Sequence, residues 1–154
     1  MLRLYYHPLS SYCQKVLVAL YENGTEFTPE LVDLGNVEQR SEFLKVWPMG
    51  KFPVLADEAR DWMVPESSII IEYLDQHFPG ATKFIPADGD QARQMRMRDR
   101  FFDLYIMTPM QKIISPPRNQ IDTMIDAHPG TPTLPVTRLY IIKTAAAIDN
   151  RMTV

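Results

Sequence analysis

Residues 61–78 read Asp61-Trp62-Met63-Val64-Pro65-Glu66-Ser67-Ser68-Ile69-Ile70-Ile71-Glu72-Tyr73-Leu74-Asp75-Gln76-His77-Phe78, and a change of period inside them decides the fold. Residues 61–64 form a short apolar run that reads as a strand. Pro65 ends it, because proline cannot donate to a ladder. From Glu66 onward the period is helical, with Ile70, Tyr73 and Leu74 on one inner stripe of a helix predicted over 66–78. Just upstream, residues 47–56 read as a loop feeding another strand, and residues 57–60 as a polar turn. A strand, a tight turn and a strand make an antiparallel hairpin, which here hands over directly to a helix.

Working outward to the N-terminus, residues 2–6 are apolar and aromatic without polar alternation, as in a buried strand. His7-Pro8-Leu9-Ser10-Ser11 breaks that strand. Cys13, Val16, Leu17 and Leu20 then fall at i, i+3, i+4 and i+7 of a helix. Ser10 or Ser11 is its natural N-cap, and Asn23-Gly24 its natural stop. Residues 26–34 read as a second strand with Phe27 and Val32 apolar. Residues 36–46 read as a short helix with Val37, Phe43 and Leu44 inward. The predicted order is β-α-β-α-β-β-α, an α/β unit in which one crossover gives a parallel pair and the terminal hairpin adds antiparallel strands.

The second half has another character. Residues 88–114 carry one long helical pattern that Pro109 should kink, with Arg93, Arg96, Arg98 and Arg100 in its first half. Residues 115–134, with Pro116, Pro117, Pro129, Gly130 and Pro132, read as a loop. Residues 135–152 read as a last helix with Ile141, Ala145, Ile148 and Met152 on one stripe. The expected organisation is a first domain over 1–79, a linker over 80–88 and a partial all-helical domain over 89–154. Charge shifts at the same place: residues 1–80 hold 6 basic and 12 acidic side chains, and residues 81–154 hold 10 and 7.

Composition excludes several function classes. With 154 residues, 45% hydrophobic and 23% charged, the chain is neither disordered nor collagen-like. No apolar run approaches the ~18 residues of a membrane span, so no membrane partner is expected. A net charge of −3 argues against nucleic acid. The single cysteine, Cys13, allows no internal disulfide and fits a reducing, cytoplasmic location.

Three features carry chemistry. Ser10-Ser11-Tyr12-Cys13 stands at a helix start, where free N–H groups and the positive dipole end favour an anion such as a thiolate. Cys13 itself lies on the apolar face, which favours burial over reactivity. Gly50-Lys51-Phe52-Pro53-Val54-Leu55 places a proline at the head of an apolar strand, where a cis bond would free the Phe52 backbone for a peptide-like ligand. Glu66-Ser67 stands at a second helix start, suited both to capping and to anchoring a carboxylate.

In this order, these segments resemble the glutathione S-transferase family. The first 80 residues resemble its thioredoxin-like domain. Phe52-Pro53-Val54-Leu55 is similar to the loop before the family's third strand, and Pro65-Glu66-Ser67-Ser68-Ile69-Ile70-Ile71-Glu72-Tyr73-Leu74 to its most recognisable segment. Arg100-Phe101-Phe102-Asp103-Leu104-Tyr105 resembles the first long helix of its helical domain. Several more helices normally come after it, so the resemblance together with the two-helix pattern implies a shortened all-α domain.

The resemblance implies roles residue by residue. Ser10 matches the thiol-activating serine of serine-type members, with Ser11 second because a one-residue shift in the loop is open. Tyr6 matches the place of the tyrosine used by tyrosine-type members. Lys51, Phe52 and Pro53 match the segment that meets glutathione beside the cis proline. Glu66 and Ser67 match the pair that holds its γ-glutamyl group. Asp103 resembles an acidic residue that in some members reaches the glutathione amine of a partner subunit. The implied activity is a detoxifying transferase using glutathione as co-substrate against a small electrophile, with no further cofactor, no metal and a homodimeric assembly. A non-catalytic glutathione-binding module is the alternative.

Overall fold

A computed structural model describes residues 1–114, within which the elements come in the expected order. They are β1 (Leu2–Tyr6), α1 (Ser11–Glu22), β2 (Thr28–Leu31), α2 (Val37–Val46), β3 (Val54–Asp57), β4 (Trp62–Pro65), α3 (Ser67–His77) and α4 (Gly89–Phe101). A π-helical turn, Phe102–Met107, then leads into α5 (Thr108–Ile114). The chain divides into two compact units, Met1–Gln111 and Lys112–Val154, and the four strands and α1 to α4 all belong to the first. The loop expected over 115–134 and the helix expected over 135–152 lie outside the described residues.

The four strands form one sheet in the order β2-β1-β3-β4. β1 pairs parallel with β2 across the α1 crossover, with Leu4 opposite Pro29. β1 and β3, and β3 and β4, pair antiparallel. This is the four-stranded α/β unit that the order of elements predicts, in the thioredoxin-like arrangement that the resemblance implies. Pro29 sits inside β2 because β2 is an edge strand, where a missing donor costs no inner ladder bond.

Alternation in the strands sorts the core to two faces. Leu2, Leu4 and Leu55 pack with Val16, Leu17 and Leu20 of α1 and Ile70, Tyr73 and Leu74 of α3. Val32 and Val54 meet Phe43 of α2 on the other face. Here one expectation fails. Val37 and Leu44 are exposed rather than inward, and Phe43 is the one buried residue of α2. Val46 and Trp47 are the residues that pack beside it. Phe43, Val46 and Trp47 stand at i, i+3 and i+4. Val37, six positions before Phe43, projects elsewhere on a helix of 3.6 residues per turn.

Asp57 corrects a second expectation. It ends β3 instead of starting the polar turn, and it is 1% exposed. The Tyr73 hydroxyl and Arg60 Nη1 each donate to its Oδ2 at 2.7 Å, and the Ala59 N–H donates to Oδ1 at 3.1 Å. Asp75 is likewise buried, accepting the Phe84 N–H at 2.9 Å and pairing with Lys83 at 2.7 Å. It thereby ties the segment after α3 back onto that helix. Burial alone would raise both carboxyls, but their donors and cations outweigh it and hold both below the ordinary range.

A carboxyl depressed in the folded chain stabilises the fold above the unfolded value of about 3.9, and that contribution drains away as pH falls through the folded value. The thermal midpoint should therefore hold from neutrality to about pH 5 and fall steeply below about pH 4. Asp75→Asn should be less stable at neutral pH and lose less of its midpoint in acid. Parallel acid profiles for the two proteins would contradict this assignment.

Pro109 does disturb the long helix, as expected, but the disturbance takes the form of the π-helical turn just before it. Proline offers no N–H to the preceding turn, and its ring crowds that turn's carbonyls. Widening the helix relieves the crowding. The Thr108 N–H reaches the Asp103 carbonyl across the widened turn, and Thr108 Oγ1 donates to the same oxygen at 2.8 Å.

Candidate glutathione site

Ser10 is the residue that caps α1. Its backbone is extended, and its Oγ accepts the Cys13 N–H at 3.4 Å. That bond uses a lone pair and leaves the hydroxyl proton able to donate. Ser11 is the first residue of α1, half-buried, with Gln111 Nε2 donating to its Oγ at 3.3 Å. Tyr6 packs against the core face of the sheet. Cys13 is fully buried, and burial pushes its thiol up despite hydrogen bonds involving Ser10 and the His7 backbone that pull the other way. Burial of this kind suits a packing role rather than a reactive one.

The loop before β3 carries Lys51, Phe52 and Pro53 at the head of this inner strand, and the Phe52–Pro53 bond is cis. His7 stacks on Phe52 with ring centroids 6.0 Å apart. Across from this loop lies the start of α3. Glu66 occupies its N-cap with φ +69°, and no side chain caps the helix. A non-glycine residue in that region costs on the order of 1–3 kcal/mol and persists where the surroundings impose it. Ser67, the next residue, is buried. The helix start thus has backbone N–H groups with no side-chain cap, the arrangement that receives a carboxylate.

These pieces border one groove of about 220 Å³. Of the residues expected at the site, Lys51, Phe52, Pro53 and Glu66 line it. Tyr12, Trp47 and Pro65 complete the wall. Ser10 and Ser11 immediately precede Tyr12, and Ser67 comes directly after Glu66, so these three serines adjoin lining residues without lining the groove themselves. Asp103 stands apart on the π-helical turn, its carboxylate 3.1 Å from Lys15 Nζ and 3.4 Å from Ser68 Oγ. Tyr12 and Trp47 escape a reading of the sequence because an aromatic wall carries no chemical signature there. The one available hint is Tyr12's place inside the Ser10–Cys13 segment.

A four-stranded sheet in the order β2-β1-β3-β4, with a cis proline before β3, defines the thioredoxin-like class of folds. A family model for the glutathione S-transferase N-terminal domain matches residues 4–82, and the chain belongs to the glutathione S-transferase family. It is 36% identical over 106 residues to Protein LigF of Sphingobium sp. strain SYK-6, an alignment covering 68% of this chain and 40% of LigF. The crystal structure of the β-etherase LigF from that strain superposes with a TM-score of 0.67 at 29% identity, over 85% of this chain and 58% of that one. A glutathione transferase homologue from Sulfitobacter, with bound glutathione, gives 0.59 at 25% identity over 68% and 49%. The chain therefore spans between two fifths and three fifths of the length of these relatives.

Proposed function

We propose that this chain binds glutathione in the groove between the Lys51–Pro53 loop and the α3 start, and ionises its thiol at the α1 start for attack on a small electrophile. The observation that carries the reading is the convergence of Lys51, Phe52, Pro53 and Glu66 on one groove. The γ-glutamyl carboxylate would meet the uncapped N–H groups of α3 and the Ser67 hydroxyl. The backbone beside Pro53 would pair with the peptide, and the thiol would lie toward Ser10.

The chemical task is modest in energy. A free thiol ionises near pH 8.5, and bringing it to about 7 takes roughly 2 kcal/mol at 1.36 kcal/mol per unit. A donated Ser10 hydroxyl hydrogen bond and the α1 dipole supply that order of magnitude. Serine acts as a donor throughout and forms no covalent bond to the substrate. The thiolate sulfur attacks the electrophilic carbon, the leaving group departs with its electron pair, and the thiol proton goes to solvent.

The test is retention on immobilised glutathione together with conjugation of chlorodinitrobenzene. Retention and turnover are expected. Retention without turnover would replace the transferase with a glutathione-binding module, and loss of both would end the reading.

The proposal includes a homodimer. Met97, Leu104 and Tyr105 are each more than half exposed, and Phe101 is 37% exposed, so among the described residues the helix that starts the second half has an apolar face without cover. Arg93, Arg98 and Arg100 beside it suit the acidic first 80 residues of a second copy, which would steer association more than tighten it. Sedimentation at micromolar concentration should give twice the chain's mass. A folded monomer under those conditions would remove the dimer from the proposal.

A further inference from the structure

One cluster of charged side chains lies outside the groove yet touches both helix starts that border it. Lys15 is one turn below Ser11 on α1. Its Nζ donates to Asp103 Oδ2 at 3.1 Å and Oδ1 at 3.3 Å, to Ser68 Oγ at 3.0 Å, and pairs closely with Asp99. Ser68 also donates to Asp99. Tyr12, on the groove wall, donates its hydroxyl to the Asp103 carbonyl at 3.1 Å and lies 3.0 Å from Thr108 Oγ1. Asp103 thus holds the first turns of α1 twice, through its carboxylate on Lys15 and its carbonyl on Tyr12.

We infer that Asp103 and Lys15 are positioning residues that fix the α1 start, and with it Ser10, against the groove and the α3 start. The inference rests on the function proposed above. Three physical points carry it. Lys15, Asp99 and Asp103 are only 20–24% exposed, so their pairing is screened far less than a surface ion pair. Elsewhere α1 and α3 share one apolar cluster, with Val16, Leu17 and Leu20 from the first and Ile70, Tyr73 and Leu74 from the second. That contact supplies cohesion but not register at the helix ends, because dispersion is non-directional while a shared ammonium is not. Last, the turn that presents Asp103 is π-helical, and such turns occur often at functional sites. Here the wide turn offers one carbonyl to Thr108 and Tyr12 together.

Misplacing an activating group by a fraction of an ångström lowers rate without abolishing binding. Asp103→Asn and Lys15→Met should therefore each lower kcat for chlorodinitrobenzene by about tenfold, while KM for glutathione moves less than about threefold. The pH at which the bound thiol ionises, read from thiolate absorbance, should rise in both. Lys15→Arg, which keeps the charge and donors, should restore most of the rate. The double variant should be no worse than the poorer single one, because the two act as one unit.

A second readout needs no glutathione. Cys13 lies buried between Tyr12 and Lys15 in sequence, so its reaction with a thiol-specific disulfide reagent reports opening of the α1 start. Labelling should quicken about fivefold or more in Asp103→Asn and Lys15→Met, measured well below each variant's thermal midpoint so that global unfolding does not contribute. If wild-type protein neither binds nor conjugates glutathione, the proposed function fails while faster labelling still upholds the clamp on α1. Folded variants with unchanged labelling and unchanged kcat would overturn the clamp and leave the proposed function standing.

Discussion

Ser10→Ala is expected to slow glutathione conjugation more than about tenfold while glutathione still binds, a loss of at least about 1.4 kcal/mol in transition-state stabilisation. The Oγ of Ser10 accepts the Cys13 N–H, so its proton is the part available to a thiolate. The same bond means that alanine also removes the cap of α1, which costs about 1 kcal/mol of stability. Ser10→Asn separates the two effects. Asparagine caps a helix as well as serine does, yet it places no hydroxyl at the helix start. The asparagine variant should thus keep its thermal midpoint and still lose the rate. Ser11→Ala and Tyr6→Phe serve as comparisons. Ser11 accepts from Gln111, and Tyr6 packs on the core face, so neither is expected to match the Ser10 effect. A large loss in either, with Ser10→Ala near wild type, would move the activating group and discard the assignment.

The fold is legible in the sequence wherever local pattern and tertiary demand agree. Strand-to-helix changes of period at Ser10 and at Pro65 give the order of elements, because capping and proline chemistry act within a few residues. What distance decides is not legible. Asp57 reads as one more acid in a polar run, since its partner Tyr73 is sixteen positions away on another element. The buried stripe of α2 is misplaced because a ten-residue helix that buries one side chain has almost no period to read. Pro109 announces a disturbance, but a π turn over Phe102–Met107 depends on Thr108 and Tyr12 meeting the Asp103 carbonyl. At the site the same division holds. Pro53 stands out because a proline at the head of an apolar strand is unusual, and Glu66 because it stands at a helix start, while Lys51 and Phe52 are reached as glutathione contacts only through the family resemblance. Tyr12 and Trp47 do not stand out, because walls are ordinary side chains until the fold closes them on a groove.

Ser67→Ala should weaken glutathione binding by about 1–3 kcal/mol, the range for removing a hydrogen bond to a charged group, which is about 5- to 150-fold in Kd. Ser67 is the first residue of α3 and is buried, while Glu66 before it supplies no side-chain cap. A helix start left in that condition has backbone donors and a positive dipole end aimed at whatever anion arrives. The serine hydroxyl adds one directed donor to them. Alanine is the best helix former, so the substitution should leave α3 and the thermal midpoint close to wild type. That separates an affinity effect from a folding one. The rate at saturating glutathione should change little, because the α1 start, where we propose the thiol lies, is untouched. Ser10→Ala and Ser67→Ala are therefore expected to fail in opposite ways, one in rate and one in affinity. Titration calorimetry decides the second: an unchanged Kd in folded Ser67→Ala would mean that the α3 start does not anchor the γ-glutamyl carboxylate, and the ligand would have to be placed elsewhere along the groove.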